Sequence, residues 1–163
     1  MRKKLLSLIL SMVIVLGYPI QASADNFLEG ETGTFEETED GVYELKNSNG
    51  TLLLMFIEDD GSAVMPRSRH NVNWTIDATS VKCSSREFSI LAESPIHVDL
   101  NFSRVGITYI GVYDRETSNY LWVKRETREC KGTMVTHGRD ALLSFAIKNA
   151  SGHSMTYTGS YSY

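Results

Sequence analysis

From Gly41 to its last residue, this chain alternates short apolar runs with turn residues every 8–12 positions or so, and nowhere does it sustain a helical period. That rhythm constrains the fold more than any other feature. It excludes helix bundles and alternating α/β layers and leaves a β-sandwich or barrel. The clearest stretch is Ile96 to Ser103, in which Ile96, Val98, Leu100 and Phe102 face one way while His97, Asp99, Asn101 and Ser103 face the other. Thr51 to Ile57 is continuously apolar between the turn signals Asn47-Ser48-Asn49-Gly50 and Glu58-Asp59-Asp60-Gly61. It reads as a buried strand, in a meander with Val42–Lys46 and Ser62–Met65. Val105 to Tyr113 reads as a central strand, with Gly106 and Gly111 at close backbone approaches. Further strands are expected at Trp74–Ala78, around Phe88 and Ile90, and at Tyr120–Val123, Thr133–Thr136, Leu142–Ile147 and Met155–Tyr163. Pro66–Asn73, the Ser-rich stretch before Phe88 and Lys124–Glu129 read as links. The expected fold is an all-β, antiparallel β-sandwich, jelly-roll-like, forming a single domain over residues 41–163.

The chain's opening points to export. Met1-Arg2-Lys3-Lys4 is basic, Leu5 to Gly17 is apolar apart from Ser7 and Ser11, and Ala22-Ser23-Ala24 offers the small residues that a signal peptidase accepts. Residues 1–24 are therefore expected to be a signal peptide, cut between Ala24 and Asp25. The apolar run is shorter than the roughly 20 residues a spanning helix needs, and the mature chain shows no later candidate. The product is expected to be secreted.

Charge narrows the partners. The chain carries 16 basic and 20 acidic residues; the leader removes Arg2, Lys3 and Lys4, which takes the balance from −4 to −7. Seven acids and no base fall in residues 25–40, read as an acidic flexible arm because so few apolar groups cannot offset the entropy of ordering it. An acidic chain is a poor match for nucleic acid phosphates or anionic lipid, and neither is expected as a partner. Cys83 and Cys130 are an even pair in an exported chain, so a disulfide is expected. The alternation of intervening strands brings both to the same end of the fold, and their Cα atoms would still have to lie within about 7 Å.

Motifs for chemistry are sparse. His70, His97, His137 and His153 lack the spacing of a helical metal site; His97 and Asp99 share a strand face, which reads as a solvent-facing strip. Glu58-Asp59-Asp60-Gly61 gathers hard oxygen ligands suited to calcium, but it lacks the spaced pattern of a calcium loop, and a hairpin turn accounts for it. No metal or other cofactor is expected. Glu87, Glu93, Asp99, Glu116 and Glu126 are the carboxylates available for glycoside hydrolysis, which needs two of them roughly 5–10 Å apart; no spacing singles out a pair. A Gly-x-Ser-x-Gly elbow and a phosphate-cradling loop are both missing.

Aromatic residues carry the functional expectation. Tyr109, Tyr113, Tyr120, Trp122, Tyr157, Tyr161 and Tyr163 crowd the C-terminal half. Flat rings with polar edges suit sugars and protein partners, and equally suit strand packing. Tyr113, Tyr120 and Trp122 are the candidate ligand-binding residues. Tyr157, Tyr161 and Tyr163 share parity and line one face of the last strand, as core or as an exposed stripe.

Several short motifs bear a resemblance. Asn73-Trp74-Thr75-Ile76, Phe88-Ser89-Ile90, Ile110-Gly111-Val112-Tyr113, Phe145 through Ser151 and Tyr157-Thr158-Gly159-Ser160-Tyr161 together resemble a loose group of small secreted β-sandwich proteins of Gram-positive bacteria with no assigned activity. The resemblance covers roughly residues 65–163 and implies fold and export only; the two cysteines lie outside it. The expected function is that of a non-enzymatic extracellular binding module for a cell-wall glycan or a protein partner. The alternatives are a secreted toxin, bacteriocin-like protein or inhibitor, and a glycan-directed hydrolase.

Overall fold

The computed structural model describes residues 34–59 and 68–163, and these run through eleven strands and no helix. The first three are β1 (Thr34–Glu39), β2 (Val42–Lys46) and β3 (Leu52–Glu58). Eight more follow: β4 (Arg69–Ile76), β5 (Val81–Ile90), β6 (Pro95–Phe102), β7 (Thr108–Asp114), β8 (Asn119–Arg125), β9 (Glu129–Thr136), β10 (Ala141–Asn149) and β11 (Met155–Ser162). They form two antiparallel sheets, one of seven strands in the order β1-β2-β3-β9-β6-β11-β4 and one of four in the order β5-β10-β7-β8.

The pairing makes the topology plain. β7 pairs with β8, β6 with β9, β5 with β10 and β4 with β11. One long hairpin, turning at Arg115–Ser118, is thus wrapped so that successive pairs fall in alternate sheets. This is a jelly roll. The β1–β3 meander widens its larger sheet.

Burial follows the alternation. Ile96, Val98, Leu100 and Phe102 of β6 turn inward against Leu143, Phe145 and Ile147 of β10 and Ile110 and Val112 of β7. The last strand settles its own ambiguity: Tyr157 and Tyr161 are buried in the same core. Two glycines are fixed by close approach. Gly159 has φ +140°, and a Cβ there would lie 2.0 Å from the Asp99 carbonyl oxygen; a Cβ on Gly111 would lie 1.8 Å from that of Leu121.

Three expectations are corrected. The acidic arm, read as residues 25–40, ends in a strand: β1 pairs along β2 in register Thr34↔Lys46. Glu36, Glu37 and Glu39 stay exposed, so an edge strand accommodates their charge without burying it. The links read at Pro66–Asn73 and before Phe88 are in part the edge strands β4 and β5, which hold polar residues for the same reason. Most important, Cys83 and Cys130 are free thiols and form no disulfide. Cys130 lies on β9 in the seven-stranded sheet and faces the core. Cys83 lies on β5 of the other sheet, next to Ser84, whose hydroxyl meets buried Tyr161. Adjacent residues on a strand point to opposite faces, which turns Cys83 away from the core that holds Cys130. Strand parity alone failed because the chain changes sheet between these strands.

The leader with its cut between Ala24 and Asp25, residues 25–33 of the arm, and the strand expected at Ser62–Met65 lie outside the described residues.

Candidate functional site

A tight turn joins β4 to β5, with the Ser80 amide donating to Asp77 at 3.2 Å and Thr79 held at φ 59°. The two strands therefore leave one corner as the edges of different sheets, and among the described residues no further strand covers the gap between them. Asn149 locks that corner. Its side-chain amide donates to the carbonyls of Ile76, Asp77 and His153, and its oxygen accepts from the amide and hydroxyl of Ser151.

The open edge is a cleft of about 450 Å³. β4 contributes Arg69, His70 and Trp74; β5 contributes Lys82, Cys83, Ser84 and Arg86; Tyr161 forms part of its floor. Three cations line it and, among the described residues, no carboxylate does. Arg69 donates through Nε to the Ser160 hydroxyl at 2.9 Å, and Lys82 Nζ sits 5.6 Å from the centre of the half-buried Trp74 ring. No ion pair joins Arg69, Lys82 or Arg86 to any described acid.

His70 is held from three sides. Its ring lies 5.1 Å from those of Tyr161 and Tyr163, and Arg86 Nη1 approaches its Nδ1 at 3.4 Å. A guanidinium only donates, so Nδ1 accepts and Nε2 carries the proton. Nε2 is buried and, among the described residues, has no partner. Burial, and then the charge of Arg86, push the imidazole below its ordinary value of 6.5. The edge thus presents cations that no described acid neutralises, around an imidazole whose Nε2 is buried.

Tyr113, Tyr120 and Trp122 come together elsewhere, on the outer face of the four-stranded sheet. Tyr120 stacks on Trp122 at 4.8 Å with planes 8° apart and meets Tyr113 at 4.7 Å. Its hydroxyl lies 3.6 Å from Cys83 Sγ; burial, with that contact, raises the phenol's pKa above the ordinary range. Arg115 lies over Tyr113 and pairs with Glu87. Trp122 keeps only 4% of its surface, so its ring faces protein and not solvent.

A second depression, of about 470 Å³, involves Glu58, Asp59, Arg125, Arg128, Glu129 and Lys131 and mixes both signs of charge. The Glu58 carboxylate is engaged by Arg125. Of the acids considered for hydrolysis, Glu116 pairs with Arg139, and neither it nor Glu87 lines the β4–β5 cleft. His97 bonds Thr133 at 3.0 Å, and among the described residues no three His, Cys, Asp or Glu side chains gather as a metal site.

Sequence reading missed the cleft because, Trp74 and Tyr161 apart, its residues fall in two stretches taken for links. One signal was available: residues 66–86 hold Arg67, Arg69, Lys82 and Arg86 against the single acid Asp77, in a chain that is acidic as a whole. Comparison of the chain with protein-family models, curated proteins and solved structures finds no match in any of the three.

Proposed function

We propose that this chain is a non-enzymatic extracellular binding module, and that the cleft between β4 and β5 takes a cell-surface glycan. The observation that carries this reading is the meeting of Trp74 with Arg69, Lys82 and Arg86 on one open edge, where none of the three cations is neutralised by a described acid. A ring face stacks on a sugar's C–H surface, and side chains held beside it fix orientation through hydrogen bonds. The expected secretory leader and the resemblance to exported sandwich proteins support an extracellular setting. Among the described residues, no helix is long and apolar enough to cross a membrane.

The test is retention of the pure protein on a panel of immobilised cell-wall and plant polysaccharides. At least one should bind, and Trp74→Ala and Lys82→Ala should each weaken it about tenfold or more while circular dichroism stays that of the parent. Equal retention of both variants would remove the cleft from the reading.

A further inference from the structure

The cleft's charge says more about its ligand than its shape does. A neutral sugar leaves Arg69, Lys82 and Arg86 uncompensated. An oxyanion meets that need, since a guanidinium donates to sulfate, phosphate or carboxylate through two parallel N–H bonds. The surrounding chain is acidic overall, which makes this edge a local exception, not part of a general basic surface.

The geometry at His70 adds a second element. In the free protein Arg86 donates to Nδ1, which requires that nitrogen to be unprotonated. An anion seated between them would draw the Arg86 guanidinium to itself and free Nδ1 to accept a proton. The groups facing His70 are Arg86 on β5, and Tyr161 and Tyr163 from β11 and the residue after it, while Arg69, its neighbour on β4, turns to the other face and bonds Ser160. None of these facing side chains is a carboxylate, and a bound oxyanion would supply the countercharge they lack.

We infer that the cleft recognises an acidic polysaccharide through an oxyanion on the sugar, held by Arg86 and by Lys82 on the same face of β5, and that His70 takes up a proton as the anion seats. This rests on the binding role proposed above.

Calorimetry of the full chain separates the possibilities, using a sulfated polysaccharide (heparin), a polyuronate (polygalacturonate), a glycerol-phosphate polymer and neutral dextran. At least one acidic polymer should bind, more weakly as salt is raised, and about tenfold or more weakly in Arg86→Gln and Lys82→Gln. Which of the three binds identifies the oxyanion. Affinity should rise as pH falls below neutrality, with heats in buffers of different ionisation enthalpy reporting proton uptake, and His70→Gln should abolish both effects. In an independent measurement, inorganic sulfate alone should raise the His70 titration midpoint seen by NMR.

Four outcomes would overturn the inference, and they are distinct. Dextran bound as tightly as any acidic polymer, lost in Trp74→Ala but kept in Arg86→Gln, removes the anion and leaves the binding module. Acidic polymer bound with no proton uptake removes the role of His70. An acidic peptide preferred over every polysaccharide removes the glycan. No polymer bound, with His70 titration unmoved by sulfate, removes both this inference and the proposal beneath it.

Discussion

The side-chain amide of Asn149 donates to the main-chain carbonyl of Ile76 across 2.9 Å, tying the end of β10 to the end of β4, a strand of the other sheet. The residue is completely buried, and every polar atom of its side chain is used. Replacing it strands several buried partners at once, each worth about 1–3 kcal/mol when left unsatisfied. Asn149→Ala should therefore cost about 3 kcal/mol or more in urea unfolding. Asn149→Asp should also destabilise, because a carboxylate cannot donate to the Ile76 carbonyl.

Arg125 and Glu58 make the second critical contact. Arg125 is 8% exposed, lies between the rings of Tyr43 and Phe56 at 4.8 and 5.6 Å from their centres, and pairs with the Glu58 carboxylate. Removing Glu58 leaves Arg125 buried and uncompensated, whereas replacing both with apolar groups of similar volume restores much of the loss. Denaturant midpoints should accordingly fall further for Glu58→Leu than for Glu58→Leu combined with Arg125→Met.

The free cysteines give a direct chemical test. Burial pushes the Cys130 thiol up to about 12, the nearby Arg125 charge notwithstanding, while Cys83 is only half-buried. A thiol-reactive dye at pH 8 should label one cysteine in the native protein and two after unfolding without reductant. A single mass 2 Da below that of the dithiol, with neither site labelled, would restore the disulfide.

Acid should loosen the turn between β7 and β8. Burial alone would raise the Asp114 carboxyl; the amides and hydroxyl of Thr117, the amide of Glu116 and the charge of Arg139 outweigh it and hold the group below its ordinary 3.8. A carboxyl depressed on folding stabilises above its unfolded value and loses that contribution as pH falls through the folded one. Asp114→Asn should therefore lower the melting temperature at pH 7 and have little effect near pH 2.

Trp122 is expected to act through packing. Trp122→Ala should cost about 3–5 kcal/mol, the range for deleting a buried large side chain, and should lower the melting temperature of the unliganded protein. Full stability together with lost glycan retention would instead place the ring in a binding surface.

The parts of this fold that sequence revealed are those in which burial is one-sided. β6 shows a strict alternation because one face meets the core and the other meets water, and its inward residues were read without error. β4 beyond Trp74–Ile76 and the first half of β5 stayed hidden for the opposite reason. As edge strands they satisfy half their backbone with one neighbour and tolerate Arg69, Asn71, Ser85 and Arg86 on both faces, which removes the period. The candidate site lies between these two strands and was lost with them. Tyr113, Tyr120 and Trp122 lie side by side, but no pattern in the residues discloses that Trp122 would be covered. The cysteines misled because strand parity gives the end of a sheet at which a residue emerges and not the sheet to which it belongs.

The wrapped hairpin also dictates a schedule. Arg69 finds its partner only in Ser162, and Ile76 only in Met155. Closing pairs so far apart in sequence is slow, and β4 has no strand beside it until β11 arrives. The ribbon can zip outward from β7 and β8, and the edge that bears the cleft is the last to gain its shape.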